Sequence, residues 1–466
     1  MAGAIARLGR TGGRALTNTI GGAERTRIVV LLASVLALAS ADASTVGASA
    51  VHLRSSLHIS NTDIGLLVTV TSLVAAVASM PFGVLADRVR RTWLLGGAIA
   101  LWGVAMIWSA TVPSFGQLLL ARLFLGGVTA AAGPVVASLV GDYFHASERG
   151  RIYGFILAGE LVGAGVGFGV TGDIAALSWR AAFVILALPA FALAWFVLHM
   201  PEPARGGRAD EAGPMEPTDA QRLARERGVE ADPELVLHDD PRRLGLLAAT
   251  RYILRVRTNI VLIAASACGY YFLAGIQTFG VEFVTQQYRI DQALANLLLL
   301  VIGGGAIVGV LAGGTLGDAL LRRGRLNARI LVSAIAATAC VVLFVPATLT
   351  RSATAALPYL VFAALALAAQ NPPLDAARLD VMVPLLWGRA EGVRTLLRTL
   401  AMALAPLIFG ALSDYVFGGG RQGLQRTFLV MLIPLSGSAF FLFKGLRTYP
   451  RDVATAAASI KAGAPR

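Results

Sequence analysis

The chain has 466 residues, of which 56% are hydrophobic and only 14% charged, with a formal net charge of +13. That balance is too apolar and too charge-poor for an ordinary soluble domain, which leaves the bilayer as the solvent. The basic residues fall in short turns between apolar runs rather than on one amphipathic face, which argues against a nucleic-acid partner and for the charge bias that orients membrane helices. A spanning helix needs about 20 apolar residues, because only a hydrogen-bonded helix or a closed barrel hides its backbone in lipid; the chain offers about twelve such runs and no barrel-like alternation.

In chain order, residues 1–26 are rich in Gly and Arg and read as a cytosolic tail. Arg7, Arg10 and Arg14 with Ala41-Asp42-Ala43 beyond them mimic a signal peptide, but the apolar run is too long and many more spans follow, so it is taken as a retained first helix, 27–50. The second helix starts after Ser60-Asn61-Thr62-Asp63, whose Ser and Asp make a capping pair, and ends at the basic turn Gly83 to Arg91. The third to sixth helices cover 92–110, 117–140, 151–174 and 179–200, with Pro113 and Gly116 marking one loop. Residues 201–258 replace the apolar pattern with acids, Arg and Pro and form a cytosolic linker between the halves. In it Thr218 caps a polar helix that Gly228 ends, and Asp240-Pro241 starts an interfacial one carrying Leu244, Leu247, Arg251 and Leu254. The seventh to twelfth helices cover 259–285, 292–316, 327–348, 355–383, 392–412 and 427–443. The six-helix bundles are thus 27–200 and 259–446, and 447–466 is a second cytosolic tail. Arg is dense in alternate turns, so both termini are expected in the cytosol.

The halves repeat. Gly83 and Gly314, Leu85 and Leu316, Asp87 and Asp318, and Arg91 and Arg322 are each 231 positions apart. Pro134 and Pro372, Asp142 and Asp380, Gly150 and Gly388, Arg151 and Arg389, and Gly154 and Gly392 are each 238 apart. Two ordered sets at nearly one offset point to an internal duplication, hence an all-α membrane protein of two pseudo-symmetric six-helix bundles. Cys268 and Cys340 lie inside apolar runs without metal-ligand spacing and read as packing residues, so neither a metal nor another cofactor is expected. The glycines of 159–172 lack the Lys and Ser or Thr of a phosphate loop and read as a helix-packing stripe, and the only lysines, Lys444 and Lys461, sit in no such motif. Neither an ATP-driven pump nor an enzyme is indicated.

The Gly83 to Arg91 turn, its degenerate copy at Gly314 to Arg322, Glu148-Arg149-Gly150-Arg151, and Trp179-Arg180 before Phe183 resemble landmarks of the major facilitator superfamily. Leu119 to Arg151, Asn371-Pro372-Pro373-Leu374-Asp375, and Gly388 to Thr395 are similar to bacterial members of its spinster branch, a resemblance that implies proton-driven export of lysophospholipids. It further implies that Asp87 binds the end of a helix from the other half as a cytosolic gate, with Arg88, Arg91, Asp142 and Arg151 beside it. Asp318, Arg322, Asp380 and Arg389 are the second set, weaker because Ala319 stands where the first has Arg88. The branch places a Glu seven residues after the Arg of the fourth helix; here that position is Thr129.

A charge near the bilayer centre costs roughly 2.5 to 3.5 kcal/mol on insertion scales, so it is functional by default. Asp42 lies roughly 22 Å into the first helix and Arg122 roughly 8 Å into the fourth from the opposite side, at similar depth. Ser34, Thr45 and Ser49 share the face of Asp42, and Gly126, Thr129 and Gly133 that of Arg122. If the faces meet as in the family, protonating Asp42 releases Arg122; the alternative is a permanent pair that locks the first half. Glu160, roughly 14 Å into the fifth helix, either supplies the carboxyl missing at Thr129 or is a neutral group bonded to a neighbouring helix. In the second half Tyr270 and Gln277 share a face, and Gln370 and Asn371 precede the Pro372-Pro373 break, which either presents backbone carbonyls to a ligand or is a plain kink. That half has fewer midplane charges than the first. The expectation is a monomeric, multi-pass transporter of the inner (plasma) membrane that couples protons to a lysophospholipid-like amphiphile by alternating access. Its partners are protons, membrane lipids and the small amphiphilic or lipid substrate. The rivals are a multidrug exporter and, from another class, a transport-inactive receptor or scaffold that docks through 201–258.

Overall fold

Every span begins and ends where polar chemistry interrupts an apolar run, and the helices follow. The computed structural model describes residues 20, 22–144, 146–203, 217–238 and 244–462. In the first half, besides short helices at Ala50–Leu57 and Gly172–Leu177, the helices are α1 (Ala23–Ala48), α2 (Asn61–Arg88), α3 (Arg91–Thr111), α4 (Phe115–Thr129), α5 (Ala132–Tyr143), α6 (Ala146–Val166) and α7 (Trp179–Leu198). The linker forms α8 (Asp219–Glu226) and α9 (Leu246–Ile253). The second half has α10 (Arg257–Tyr288), α11 (Gln292–Arg322), α12 (Ala328–Leu349), α13 (Ala353–Ala369), α14 (Asn371–Asp380), α15 (Trp387–Ala411), α16 (Gly420–Val430) and α17 (Leu432–Ala462). Among the described residues 12 segments are long and apolar enough to cross a membrane, α4 with α5, α13 with α14 and α16 with α17 each counting as one. The architecture is the expected twelve-helix membrane protein.

The repeat is visible in where spans break. The fourth is interrupted at Ala130 and Ala131, one turn before Pro134, and the tenth at Gln370, just before Pro372 and Pro373. Proline has no N–H to give the preceding turn and its ring crowds that carbonyl, so a break is the expected response. The basic turns are tighter than the sequence suggests: α2 stays helical to Arg88, leaving only Val89 and Arg90 between helices, and α11 runs to Arg322.

The chain divides into two units, Met1–Ile59 with Val70–Gly213, and Ser60–Thr69 with Pro214–Arg466. Residues 60–69 group with the second unit because the Thr62 N–H and hydroxyl donate to Asp414 at 2.7 and 2.8 Å. Gly65 and Gly410 also let backbones touch there: a Cβ at Gly65 would meet the Pro406 carbonyl, and one at Gly410 that of Asn61. In the first unit a Cβ at Gly163 would lie 2.0 Å from the Ala37 carbonyl, and ones at Gly159 and Gly167 would strike Ala33 and Ala41. The glycine stripe is thus the α1–α6 contact.

The described parts of the linker are anchored. Thr218 caps α8 in a reciprocal box with Gln221, and Gly228 ends the turn at φ +61°. Asp240 and Pro241 lie outside the described residues, and α9 begins at Leu246 with Leu247 exposed and Ala249 and Ile253 buried. The twelfth span does not stop near Phe443. α17 continues to Ala462, where Asp452 accepts from the Thr258 N–H at 2.7 Å, and Thr455 and Ser459 accept from the backbone N–H groups of Asp232 and Leu237.

Candidate functional site

The helical depths of Asp42 and Arg122 match, and the two side chains meet. Arg122 Nη1 donates to Asp42 Oδ1 at 2.9 Å, with only 2% and 5% of the two residues exposed. The guanidinium also lies over the Phe183 ring of α7, Cζ 4.7 Å from its centroid. Its Nε and Nη2 are buried without a hydrogen-bond partner. A group with one carboxylate contact and two idle donors can exchange partners at low cost, whereas a cation stripped of its only anion is strongly unfavourable in a dry site. Protonating Asp42 therefore changes what Arg122 must do.

The polar positions around this pair divide. Thr129 lines an apolar recess with Val35, Leu38, Leu95, Trp102 and Val128, its hydroxyl already donating to the Leu125 carbonyl at 3.0 Å. Thr45 is buried against Thr171 at 2.7 Å, and Ser49 is fully buried. Ser34 is half-buried and donates to Val30. Glu160 is exposed on α6, next to the glycine stripe rather than within it.

Each unit also holds an arginine, buried at Arg91 and half-buried at Arg329, that gathers carboxylates. Arg91 bonds Asp142, donates from Nε to Glu202 at 2.8 Å and reaches the Ser138 hydroxyl at 2.9 Å. Burial alone would raise the Glu202 pKa, but the hydrogen bonds from the Thr92 N–H, Arg91 and the Thr92 hydroxyl outweigh it and hold the carboxyl below its ordinary range. In the second unit Arg329 donates to Asp318 at 2.8 Å and to Asp380 at 2.5 Å. Asp380, fully buried, also accepts from Tyr449 at 2.5 Å and Thr218 at 2.7 Å. Arg322, taken from the 231-residue offset, is exposed; the 238-residue offset that relates Asp142 to Asp380 carries Arg91 onto Arg329. Arg88 is exposed and Arg389 donates to the Leu244 carbonyl at 2.9 Å. The side chains of Asp87 and Arg151 lie outside the described residues.

Comparison with known proteins places this arrangement. A model of the Major Facilitator Superfamily matches residues 32–406. The chain belongs to this superfamily of transporters. It is 29% identical over 178 residues to a probable L-galactonate transporter of Escherichia coli (strain K12), covering 38% of this chain and 39% of that protein. It is 30% identical to protein spinster homolog 1 of Rattus norvegicus, covering 43% of this chain and 40% of that protein. The chain thus matches about two-fifths of the length of these relatives. A bacterial homologue of the human lysosomal transporter spinster, in an inward-facing, unoccupied conformation, superposes with a TM-score of 0.73 at 19% identity, covering 92% of this chain and 98% of that one. The fold is that of the superfamily, and the relationship runs to its spinster proteins.

Within this superfamily member the second unit is more heavily charged inside its spans than the sequence reading allowed. Arg394 of α15 donates to Asp375 of α14 at 2.5 Å and to Glu391 at 2.9 Å, and Arg378 bonds Glu391. Arg398 lies one turn further on, Cζ 4.4 Å from the Tyr270 ring centroid. The signal was present: Glu391, Arg394, Thr395 and Arg398 recur at helical spacing, but Gly388 to Thr395 was read as a family landmark and the charged face it opens on the expected helix 392–412 was not traced. Glu282 of α10, fully buried and bonded by Gln286 at 2.8 Å, lay inside the expected helix but was not singled out, because it stands near the end of the span rather than at its middle. Gln370 is buried and packs on Gly269; Gln277 and Asn371 are half-buried.

Proposed function

We propose that the protein is a proton-coupled secondary active transporter that moves a lysophospholipid-like amphiphile by alternating access. The observation that carries this reading is the buried Asp42–Arg122 pair, with its idle Nε and Nη2 donors. Proton binding to Asp42 removes the carboxylate from Arg122, which then turns to another acceptor, and Glu160 is the second proton-carrying group. The polar head of the solute sits near this pair and its acyl chain runs along the apolar walls. The Asp142 and Asp380 networks, with Asp87 and Arg151, act at the cytosolic ends of the spans, with both chain termini in the cytosol of a cell whose inner membrane holds the protein as a monomer. A sugar acid is the second candidate solute, favoured by the resemblance to the L-galactonate transporter.

The test is proton uptake into proteoliposomes on adding a lysophospholipid, for the wild type beside Asp42→Asn and Glu160→Gln. Lipid-dependent flux lost in both variants supports the scheme. Flux driven by cationic drugs and not by lipid points to a drug exporter, and no flux with any solute points to a scaffold.

A further inference from the structure

Among the described residues, Arg398 is the one guanidinium of the α14–α15 cluster without a carboxylate partner. It stands 11 residues into α15, about 16 Å along a helix that rises ~1.5 Å per residue, inside a membrane-spanning segment. Its single recorded interaction among the described residues is with the Tyr270 ring, and its Nε is buried with no hydrogen-bond partner. Arg378, likewise, has a buried Nε with no acceptor. The neighbouring carboxylates are spoken for: Asp375 bonds Arg394, and Glu391 is shared by Arg394 and Arg378. Three guanidiniums therefore face two carboxylates, an excess of one positive charge.

Magnitudes decide what that excess means. A cation over an aromatic ring gains about 0.5–2 kcal/mol. Holding an uncompensated charge away from water costs several kcal/mol, and insertion scales alone put it near 2.5–3.5 kcal/mol. Tyr270 therefore offsets only part of the cost. Arg398 is half-buried and only its Nε is sealed off, so its terminal nitrogens stay open to water or to an anion, and Arg does not lose its proton. Guanidinium is suited to this, because its flat fork pairs with carboxylate or phosphate oxygens through two bonds. The aromatic face holds the Arg398 side chain in place meanwhile, so little ordering is left to do on binding.

We propose that Arg398, with Arg378 beside it and Tyr270 beneath it, is the subsite in the second unit for an anionic group of the transported solute, a phosphate or a carboxylate. This deepens the transport reading and rests on it. It places the anion-recognising charge on α15 rather than at Arg122, whose single charge Asp42 already answers. The same oxygens are carried by a lipid headgroup and by a soluble sugar acid.

Binding to the purified full-length protein in nanodiscs of neutral lipid tests the idea with three probes: lysophosphatidylglycerol, which is anionic, monoacylglycerol, which carries neither phosphate nor carboxylate, and galactonate. Wild type is expected to bind an anion at least tenfold more tightly than monoacylglycerol, with the preferred anion naming lipid or sugar acid as the source. Arg398→Gln is expected to lose about tenfold or more in affinity for that anion while its weaker binding of monoacylglycerol is unchanged. Arg398→Lys, which keeps the charge but not the fork, is expected to fall between wild type and Arg398→Gln, and an unchanged unfolding temperature in Arg398→Gln separates loss of charge from loss of fold. Equal affinity of wild type and Arg398→Gln for the anion overturns the proposal, as does failure of wild type to bind either anion. Uptake into proteoliposomes is scored separately: an anion that binds through Arg398 without being moved supports the subsite and removes the transport reading.

Discussion

Arg91 in the first unit and Arg329 in the second occupy equivalent places in the repeat, and each gathers carboxylates at the end of its bundle. Deeper in the spans the units part company. In the first, Arg122 meets a single carboxylate, Asp42, and the charges cancel. In the second, Asp375 and Glu391 face Arg378, Arg394 and Arg398, and they do not cancel. The duplication has kept the anchors at the helix ends and let the interior diverge. A balanced pair suits a proton switch, because one added proton unbalances it. An unbalanced cluster suits capture of an anion, because the ligand restores the balance. On the transport reading proposed above, this difference in charge count divides the labour between the units.

The largest effect is expected where the balance of the first unit is broken. Asp42→Ala leaves Arg122 buried without its anion, which should cost about 3–5 kcal/mol and show as a marked drop in thermal stability in detergent. The double variant Asp42→Asn with Arg122→Gln restores a neutral site and should recover most of that loss. If the pair is a switch, the recovered protein still lacks proton-driven flux; if it is only a lock, flux returns with the fold. The second unit offers the matching test. Arg329→Ala strands the fully buried Asp380 and should again cost about 3–5 kcal/mol, while Arg322→Ala, at an exposed position, should stay within about 0.5 kcal/mol of wild type. Equal losses in the two would return the anchor to Arg322.

Much of this was legible before any coordinates. Apolar run lengths gave the spans, Thr218 and Gly228 gave the linker helix, and the depths of Asp42 and Arg122 gave their meeting. The second-unit anchor was misplaced by seven residues because glycines and small residues recur along α11 and make a shifted alignment look as good as the correct one. Only the partner, Asp380, fixes the register, and partners are properties of folded chains. The charge excess around Arg398 was hidden for a similar reason. Composition counts charges along the chain, while Arg378 and Arg394 come to share Glu391 only in the folded chain. The continuation of α17 to Ala462 had no apolar signal, since its last turns pack on the linker by way of Tyr449, Asp452, Thr455 and Ser459 rather than on lipid.

Smaller effects sharpen the same contrast in the first unit. Gly163→Ala drives a methyl group into the Ala37 backbone and should cost about 1–3 kcal/mol, whereas Gly165→Ala, which meets nothing within 4 Å, should be neutral or slightly stabilising. Among the substitutions expected to destabilise, the smallest effect is at Glu202, and its pH dependence identifies it. Glu202→Gln removes a charge that Arg91 and Thr92 hold with hydrogen bonds, worth about 1–2 kcal/mol. Because the folded-state pKa lies below the ordinary value of 4.5, the carboxylate stabilises the fold fully above that value and progressively less as the pH falls through the folded one. Wild type and Glu202→Gln should therefore differ at pH 7 and converge in acid, as read by unfolding temperature across that range. A difference that persists unchanged below the folded pKa would mean that Glu202 acts through its shape and not its charge, and that Asp142 alone answers Arg91.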